Sequence, residues 1–321
     1  MEQLIDIVIP VYNGEKYIEN LILQLENQTF KGFRAIFVDD GSKDNSFKLL
    51  SEKLPKANFE SLLLQQENKG ASVARNTGLR KVTAPWIAFA DCDDFFLPEF
   101  LEYYYRAVTE TGADLAIASL KIIEEGVKFD IPPVGELEYQ CLTAKEAMYS
   151  FTEEWRGVCC LLINREKQQQ YKLFEDEECI YGEDVPFVAQ VIASAEKVVK
   201  ISNITYFYPT IQGSLSHSGS RKKFLSGIDA FKRMVTEFEN RTEPACKAFL
   251  ECGCARYYIA ILRKAAMQLS YKEFESLAKD INFEAYKSQV SKLSLKPKLA
   301  SVMFLISKRM FYFTIRRVLK S

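Results

Sequence analysis

The sequence predicts an α/β fold: an open, mostly parallel sheet with helices on both faces. Apolar, β-branched runs alternate with stretches of helical periodicity roughly every 25 residues through residues 4–119. Most of these runs end in a polar loop rich in Asp, Asn and Gly. In a parallel sheet such loops gather at one edge, where open α/β folds hold their ligands.

Leu4 to Tyr12 is the first strand, closed by the turn signal Asn13-Gly14. Ile18, Leu21, Ile22 and Leu25 follow at i, i+3, i+4 and i+7, one face of a helix. Phe33 to Val38 is the second strand and runs into Asp39-Asp40-Gly41-Ser42. Asp44 is a candidate cap for a helix with the apolar face Phe47, Leu50 and Leu54. Ser61 to Leu64 is a short third strand, broken by Asn68-Lys69-Gly70, and a helix carrying Val73, Ala74 and Leu79 comes next.

The fourth strand starts at Trp86 and ends abruptly in Asp91, Asp93 and Asp94. Asp91 and Asp93, one residue apart, can both serve one hard cation, or divide between a metal and a sugar hydroxyl. Asp94 reads equally as a cap for the helix that begins near Pro98. Leu101 to Val108 is helical, and Asp114 to Ser119 is the fifth strand. Lys121 to Leu142 patterns poorly, includes Pro132-Pro133, and reads as an insertion. Gly157 to Asn164 predicts a strand beside the acidic one, with Trp155 just before it. Tyr206 to Pro209 is strand-like, and Arg221 to Asp280 reads as helices with mixed faces. The expected organisation is a catalytic domain over 1–218 with halves of about 1–120 and 121–218, a helical appendage over 219–286, and a basic amphipathic tail over 287–321.

Composition sets further bounds. With 321 residues, 48% hydrophobic and 26% charged, the chain has the make-up of a soluble globular protein. A formal net charge of −1 gives no case for nucleic acid. The eight cysteines form no CxxC pair and there is one histidine, so a zinc site is not expected; free thiols in a reducing cytosol are. The opening residues MEQLIDIVIP do not resemble a signal peptide, and no run of eighteen apolar residues predicts a spanning helix.

Four segments, taken together, resemble glycosyltransferase family 2. They are Ile9 to Asn13, Val38 to Ser46, Glu67 to Leu79 and Phe89 to Asp94, in the family's order and spacing over residues 4–120. Ala90 and Cys92 depart from it, standing where the family often has Leu and a small polar residue. The resemblance implies a GT-A fold and a metal-dependent, inverting transfer of a sugar from a nucleotide-sugar donor. A UDP-sugar is the expected donor, and a hydroxyl of a glycan or lipid-linked acceptor in surface polysaccharide synthesis the expected target.

It also implies roles. Pro10 and Tyr12 would pack on the base, with Tyr12 equally readable as a strand-end aromatic. Asp39 would accept a hydrogen bond from the base, and Asp40 would organise its loop. Lys69 and Arg75 would stand beside the diphosphate, although Lys69 reads as well as a solvated lysine. Asp91 would contact the ribose or bridge to the metal, and Asp93 would ligate Mn2+ or Mg2+ directly. Glu183-Asp184 resembles the family's acidic pair at a helix N-terminus, with Asp184 as base and Glu183 as its support. Gln212 to His217 resembles a segment that closes over the donor, where His217 would touch metal or diphosphate or else be polar surface. Thr210-Ile211 stand where many relatives carry an arginine.

Three other classes are weighed against this. A sugar nucleotidyltransferase needs a Gly-rich loop after the first strand, and only one glycine is there. A dehydrogenase would show GxGxxG. A non-catalytic glycan-binding scaffold would not need the acids at 91, 93, 183 and 184. The tail interleaves Val302 to Ile306, Met310, Phe311, Phe313 and Ile315 with Lys308, Arg309, Arg316, Arg317 and Lys320. It suits a helix lying on anionic lipid at the inner face of the cell membrane, or one packed on its own domain or on a second subunit of a homo-oligomer.

Overall fold

The structure, a computed structural model, describes residues 2–124, 135–154, 157–210 and 219–318. The chain begins β1 (Ile5–Val11), α1 (Glu15–Glu26), β2 (Phe33–Asp39), α2 (Ser46–Lys53), β3 (Glu60–Gln65), α3 (Ala71–Leu79) and β4 (Trp86–Phe89). The four strands pair in parallel in the order β3-β2-β1-β4. β1 and β2 are buried along almost their whole length, as a sheet covered on both faces requires. α1 buries Ile18, Leu21, Ile22 and Leu25, the face its spacing predicts. α3 approaches β1 so closely that a Cβ on Gly78 would lie 2.4 Å from a Val8 methyl. Only glycine fits there, and this fixes how α3 presents Arg75 and Asn76.

Past β4 the chain continues β5 (Phe95–Phe96), α4 (Phe100–Thr111), β6 (Leu115–Glu124), β7 (Tyr139–Thr143), α5 (Ala144–Glu153), β8 (Leu161–Asn164), α6 (Arg165–Gln170), α7 (Asp184–Ser194) and β9 (Lys197–Thr210). Here pairing becomes mixed. β8 lies antiparallel between β4 and β6, β9 runs parallel to β6, and β5 and β7 pair antiparallel with β9. The parallel arrangement therefore covers the first half of the sheet only. β5 is two residues long, below what any periodicity can reveal, so the run at Asp114 to Ser119 is the sixth strand. β6 and β7 take up both ends of the segment read as an insertion, and Pro132-Pro133 lie outside the described residues.

Two expected caps are different in the structure. α2 has Asn45 at its N-cap, while the Asp44 carboxylate accepts from Ser46 N at 3.0 Å and Glu15 N at 3.1 Å, tying the starts of α1 and α2 together. Asp94 does not cap α4, whose N-cap is Glu99.

The chain ends in α8 (Arg221–Glu239), α9 (Pro244–Gln268), α10 (Tyr271–Asp280), α11 (Leu295–Ile306) and α12 (Lys308–Val318). α9 is apolar on most sides because α5, α7, α8, α11 and α12 all pack against it. One apolar cluster runs from Val8 and Phe89 in the sheet through Phe187 and Tyr257 to Phe304 and Ile315. The helices beyond residue 219 thus share the sheet's core. The tail is divided between two faces: Phe304, Phe311 and Ile315 point into that core, whereas Leu299, Val302, Ile306 and Phe313 are exposed. No helix among the described residues is long and apolar enough to cross a membrane.

Candidate active site

The loops leaving β1, β2 and β4 meet at one edge. Asn13 adopts a left-handed φ of 50°, which Asn tolerates better than most residues. Its side chain accepts from Lys43 N at 2.8 Å, and its N–H donates to Ser42 Oγ, so the first two loops are knitted together. Beside this junction Tyr12 is 41% exposed and Pro10 is half-buried.

Asp39 is fully buried. Its Oδ1 accepts from Ser42 N at 3.2 Å and Gln65 Nε2 at 3.4 Å, while Oδ2 has no donor among the described residues. A buried acceptor without a donor is costly, so this atom suits a ligand N–H. Asp40 is saturated by Lys69 N, Gly70 N and Gln66 Nε2 at 2.8–2.9 Å, and joins the second loop to the third. The Lys69 side chain is exposed; it is the backbone N–H of that residue that is bonded.

The acidic loop after β4 hangs on Tyr206 of β9. The Tyr206 hydroxyl accepts from Asp91 N at 3.0 Å and donates to Asp94 Oδ2 at 2.6 Å. Burial, followed by the Asp91 charge, pushes the Asp94 carboxyl up to about 9. Burial and then the Asp91 charge raise the proton affinity of Asp93 too, against a hydrogen bond from its own backbone N–H. Lys16 and Arg75 offset part of this rise, and a divalent cation would supply further positive charge. Among the described residues no three His, Cys, Asp or Glu side chains gather around such an ion. Asp93, with the second oxygen of Asp91, fits a cation whose remaining ligands are phosphate and water oxygens.

Arg75 is the hub of the site. Its guanidinium is buried, with Nη2 2.8 Å from Asp91 Oδ1 and Nη1 3.2 Å from Glu175 Oε1. Glu183 and Asp184, at the start of α7, come within 3.7 and 3.6 Å of Nη1. Asp184 Oδ1 is buried without a hydrogen-bond donor among the described residues, although about a third of the side chain is exposed. Burial raises the Asp184 carboxyl well above the usual range; Arg75 opposes this, and Glu183, Glu175 and Asp91 add to it. From α9, Lys264 lies over the Tyr181 ring, its own proton affinity lowered by burial and supported by Glu183 and Asp184.

Through Arg75 the structure brings Asp91, Glu183 and Asp184 together, with Asp93 beside them and Asp39 and Tyr12 on neighbouring loops. His217 and Trp155 lie outside the described residues. The sequence reading passed over Glu175, Tyr206 and Lys264 as site residues. Glu175 sits in a run of acids that reads as a solvated face, and Lys264 lies on a helix far along the chain. Tyr206 stood out only as a strand aromatic.

A family model described as glycosyl transferase family 2 matches residues 6–167. Glycosyltransferase GlyA of Streptococcus pneumoniae is 28% identical over 296 residues, 88% of this chain and 42% of that protein. Glycosyltransferase GlyG of the same organism is 25% identical over 292 residues, 88% of this chain and 95% of its own length. The chain therefore spans less than half of GlyA but nearly all of GlyG. Among solved structures, S. aureus TarS 1–349 in complex with UDP-GlcNAc superposes with a TM-score of 0.70 at 17% identity, covering 99% of this chain and 91% of that one. At that identity the likeness is one of fold.

Proposed function

The chain belongs to glycosyltransferase family 2, and we propose that it is a metal-dependent, inverting glycosyltransferase moving a sugar from a UDP-sugar to a hydroxyl of a glycan or lipid-linked acceptor in surface polysaccharide synthesis. One observation carries the reading. A single guanidinium, Arg75, reaches both the acid of the donor loop, Asp91, at 2.8 Å and the candidate base, Asp184, at 3.6 Å. Donor and acceptor chemistry thus lie one side chain apart, as a single displacement at the anomeric carbon requires.

In this reading Pro10 and Tyr12 pack on the base and Asp39 Oδ2 accepts from its N–H. Lys69 and Arg75 supply positive charge on the diphosphate side. Asp91 takes the ribose or bridges to the metal, Asp93 ligates Mn2+ or Mg2+, and His217 is a further candidate contact. When bound, the metal would offset the charge that builds on the diphosphate leaving group. Asp184 takes the proton of the incoming hydroxyl, supported by Glu183. The UDP-GlcNAc held by TarS supports the choice of UDP. Release of UDP from a panel of UDP- and GDP-sugars, with and without Mn2+, tests this. Asp184→Asn is expected to lower kcat ~10²–10⁴-fold, and Asp93→Ala to abolish the metal dependence. Full rates in both variants would overturn the mechanism.

We also propose that the protein works from the cytoplasm on the inner face of the cell membrane, held there by α11 and α12. Leu295, Leu299, Val302 and Ile306 share one helical face and are 71, 58, 42 and 72% exposed. After Glu284 the chain has nine Lys and Arg and no acid. An uncovered aliphatic stripe among cations matches an anionic bilayer, acyl chains against the stripe and headgroups against the lysines. Two such tails would repel each other, which disfavours a second copy as the occupant. The test is co-sedimentation with phosphatidylglycerol or phosphatidylcholine vesicles. The protein is expected to pellet with the anionic vesicles, and Leu299→Glu with Ile306→Glu to release it at unchanged UDP affinity. A homodimer broken by the same substitutions, with no vesicle binding, would overturn it.

A further inference from the structure

Arg75 stands among four carboxylates but bonds to two. Nη2 donates to Asp91, and Nη1 lies 3.2 and 3.3 Å from the two oxygens of Glu175. Glu183 and Asp184 stay at 3.7 and 3.6 Å, beyond hydrogen-bond range. Left to itself, a buried guanidinium closes on its nearest acids. Glu175 is in no position to let it go. Its side chain has no exposed surface, and Ser72, whose hydroxyl donates to Cys179 O at 3.4 Å, lies close enough to lower its proton affinity. Its backbone exchanges two hydrogen bonds of 2.9 Å with the Asn76 side chain. Ser72, Arg75 and Asn76 all project from α3, so Glu175 is pinned to the helix whose arginine it holds.

We propose that Glu175 is a positioning residue: it holds the Arg75 guanidinium 3.6 Å from Asp184, short of a hydrogen bond to the base, while Arg75 stays bonded to Asp91. This rests on Asp184 being the base. An arginine beside a carboxylate lowers its pKa by about 1–3 units, and a hydrogen bond from it to the charged form lowers it further. With Arg75 held one step away, burial dominates and the Asp184 proton affinity is raised, helped by Glu183, Glu175 and Asp91. Lys264 of α9 is the other cation facing it, and Gly157, packed against its Oδ2, brings no charge. A carboxylate of raised proton affinity is the better acceptor for a sugar hydroxyl's proton. Glu175 acts on this through Arg75 as well as through its own charge, and it bonds to Arg75 rather than to Asp184.

Glu175→Gln keeps the shape and removes the charge. Arg75 is then expected to close on Asp184. The acidic limb of the kcat–pH profile should move down by about 1–3 units, and the plateau should fall about tenfold, with the donor KM unchanged. Glu175→Asp, which keeps the charge, should return the limb toward its original position. Ser72→Ala frees the carboxylate more gently and should move the limb the same way by less, which keeps the test open should Glu175→Gln fail to fold. A kcat lowered equally at every pH, with the limb in place in both Glu175→Gln and Ser72→Ala, would mean a structural role and would overturn the proposal. Asp184→Asn separates the two layers. If it retains the rate, the base assignment falls; if it is inactive while the limb stays put in Glu175→Gln, only the positioning role falls.

Discussion

Asp184 Oδ2 occupies space left open by a missing side chain. A Cβ on Gly157 would lie 2.9 Å from it, closer than carbon and oxygen tolerate. The backbone at Gly157, with φ −78°, suits any residue, so the glycine is needed for the carboxylate and not for the chain. Gly157→Ala is therefore expected to displace Asp184 and lower kcat about 10²-fold with little change in the thermal midpoint. Steady-state kinetics beside a melt would check this, and an unchanged kcat would show that the base is not held tightly. At this scale the sequence was legible where residues belong to motifs: Asp39, Asp40, Asp91 and Asp93 lie at the strand ends expected, and Glu183 and Asp184 at a helix N-terminus. Glu175 was not. In the run Glu175-Asp176-Glu177-Glu178, Asp176 and Glu178 pair with Arg233 and Glu177 with Arg80 at the surface, while Glu175 alone turns inward. No spacing rule singles it out, because the loop's path depends on Asn76 ninety-nine residues earlier.

Among the elements, α10 carries a full capping box: Ser270 accepts from Glu273 N, and the Glu273 carboxylate accepts from Ser270 N. Ser270→Ala is expected to destabilise the protein by about 1 kcal/mol, the usual cost of a lost cap. The effect should depend on pH in a defined direction. The Ser270 hydroxyl and then its backbone N–H hold the Glu273 carboxyl below its ordinary pKa. A group whose folded pKa is depressed contributes its stability above the unfolded pKa and loses it as pH falls through the folded one. The gap between the melts of the two proteins should therefore be wider at neutral pH and narrow in acid, to what the bond from Glu273 N to the Ser270 hydroxyl contributes; a constant gap would show that the carboxylate takes no part. The parallel strands and their helices were readable because each holds four or more residues of one pattern. β5 was not. The place of β8 beside β4 was read from its apolar run, but its antiparallel sense and its other neighbour, β6, were not, since such pairing is decided by which strand arrives beside which.

Across the whole molecule, one apolar cluster links the sheet to the last helix. Phe304 and Phe311 are 3% and 0% exposed within it. Removing residues after Lys296 would strip these aromatics from the core, each worth roughly 3–5 kcal/mol. Such a truncation is expected to lower the thermal midpoint sharply and to expose apolar surface to a hydrophobic dye. A truncated chain that melts like the full one would show the tail to be separable. Membrane attachment is for this reason better probed by substitutions on the exposed stripe than by deletion.

The division between sequence and fold follows from distance along the chain. Local order was written in the residues: the alternation of strands and helices, the polar loops at one edge, and the acids that resemble a donor site. These depend on neighbours within a few positions, where periodicity and turn chemistry act. The fold alone decided that Arg75 is buried among four acids, that Glu175 holds it, that Tyr206 anchors the acidic loop, and that the tail is half core and half surface. Each joins segments that lie far apart in sequence, and such contacts are chosen by packing and charge only once the chain has closed on itself.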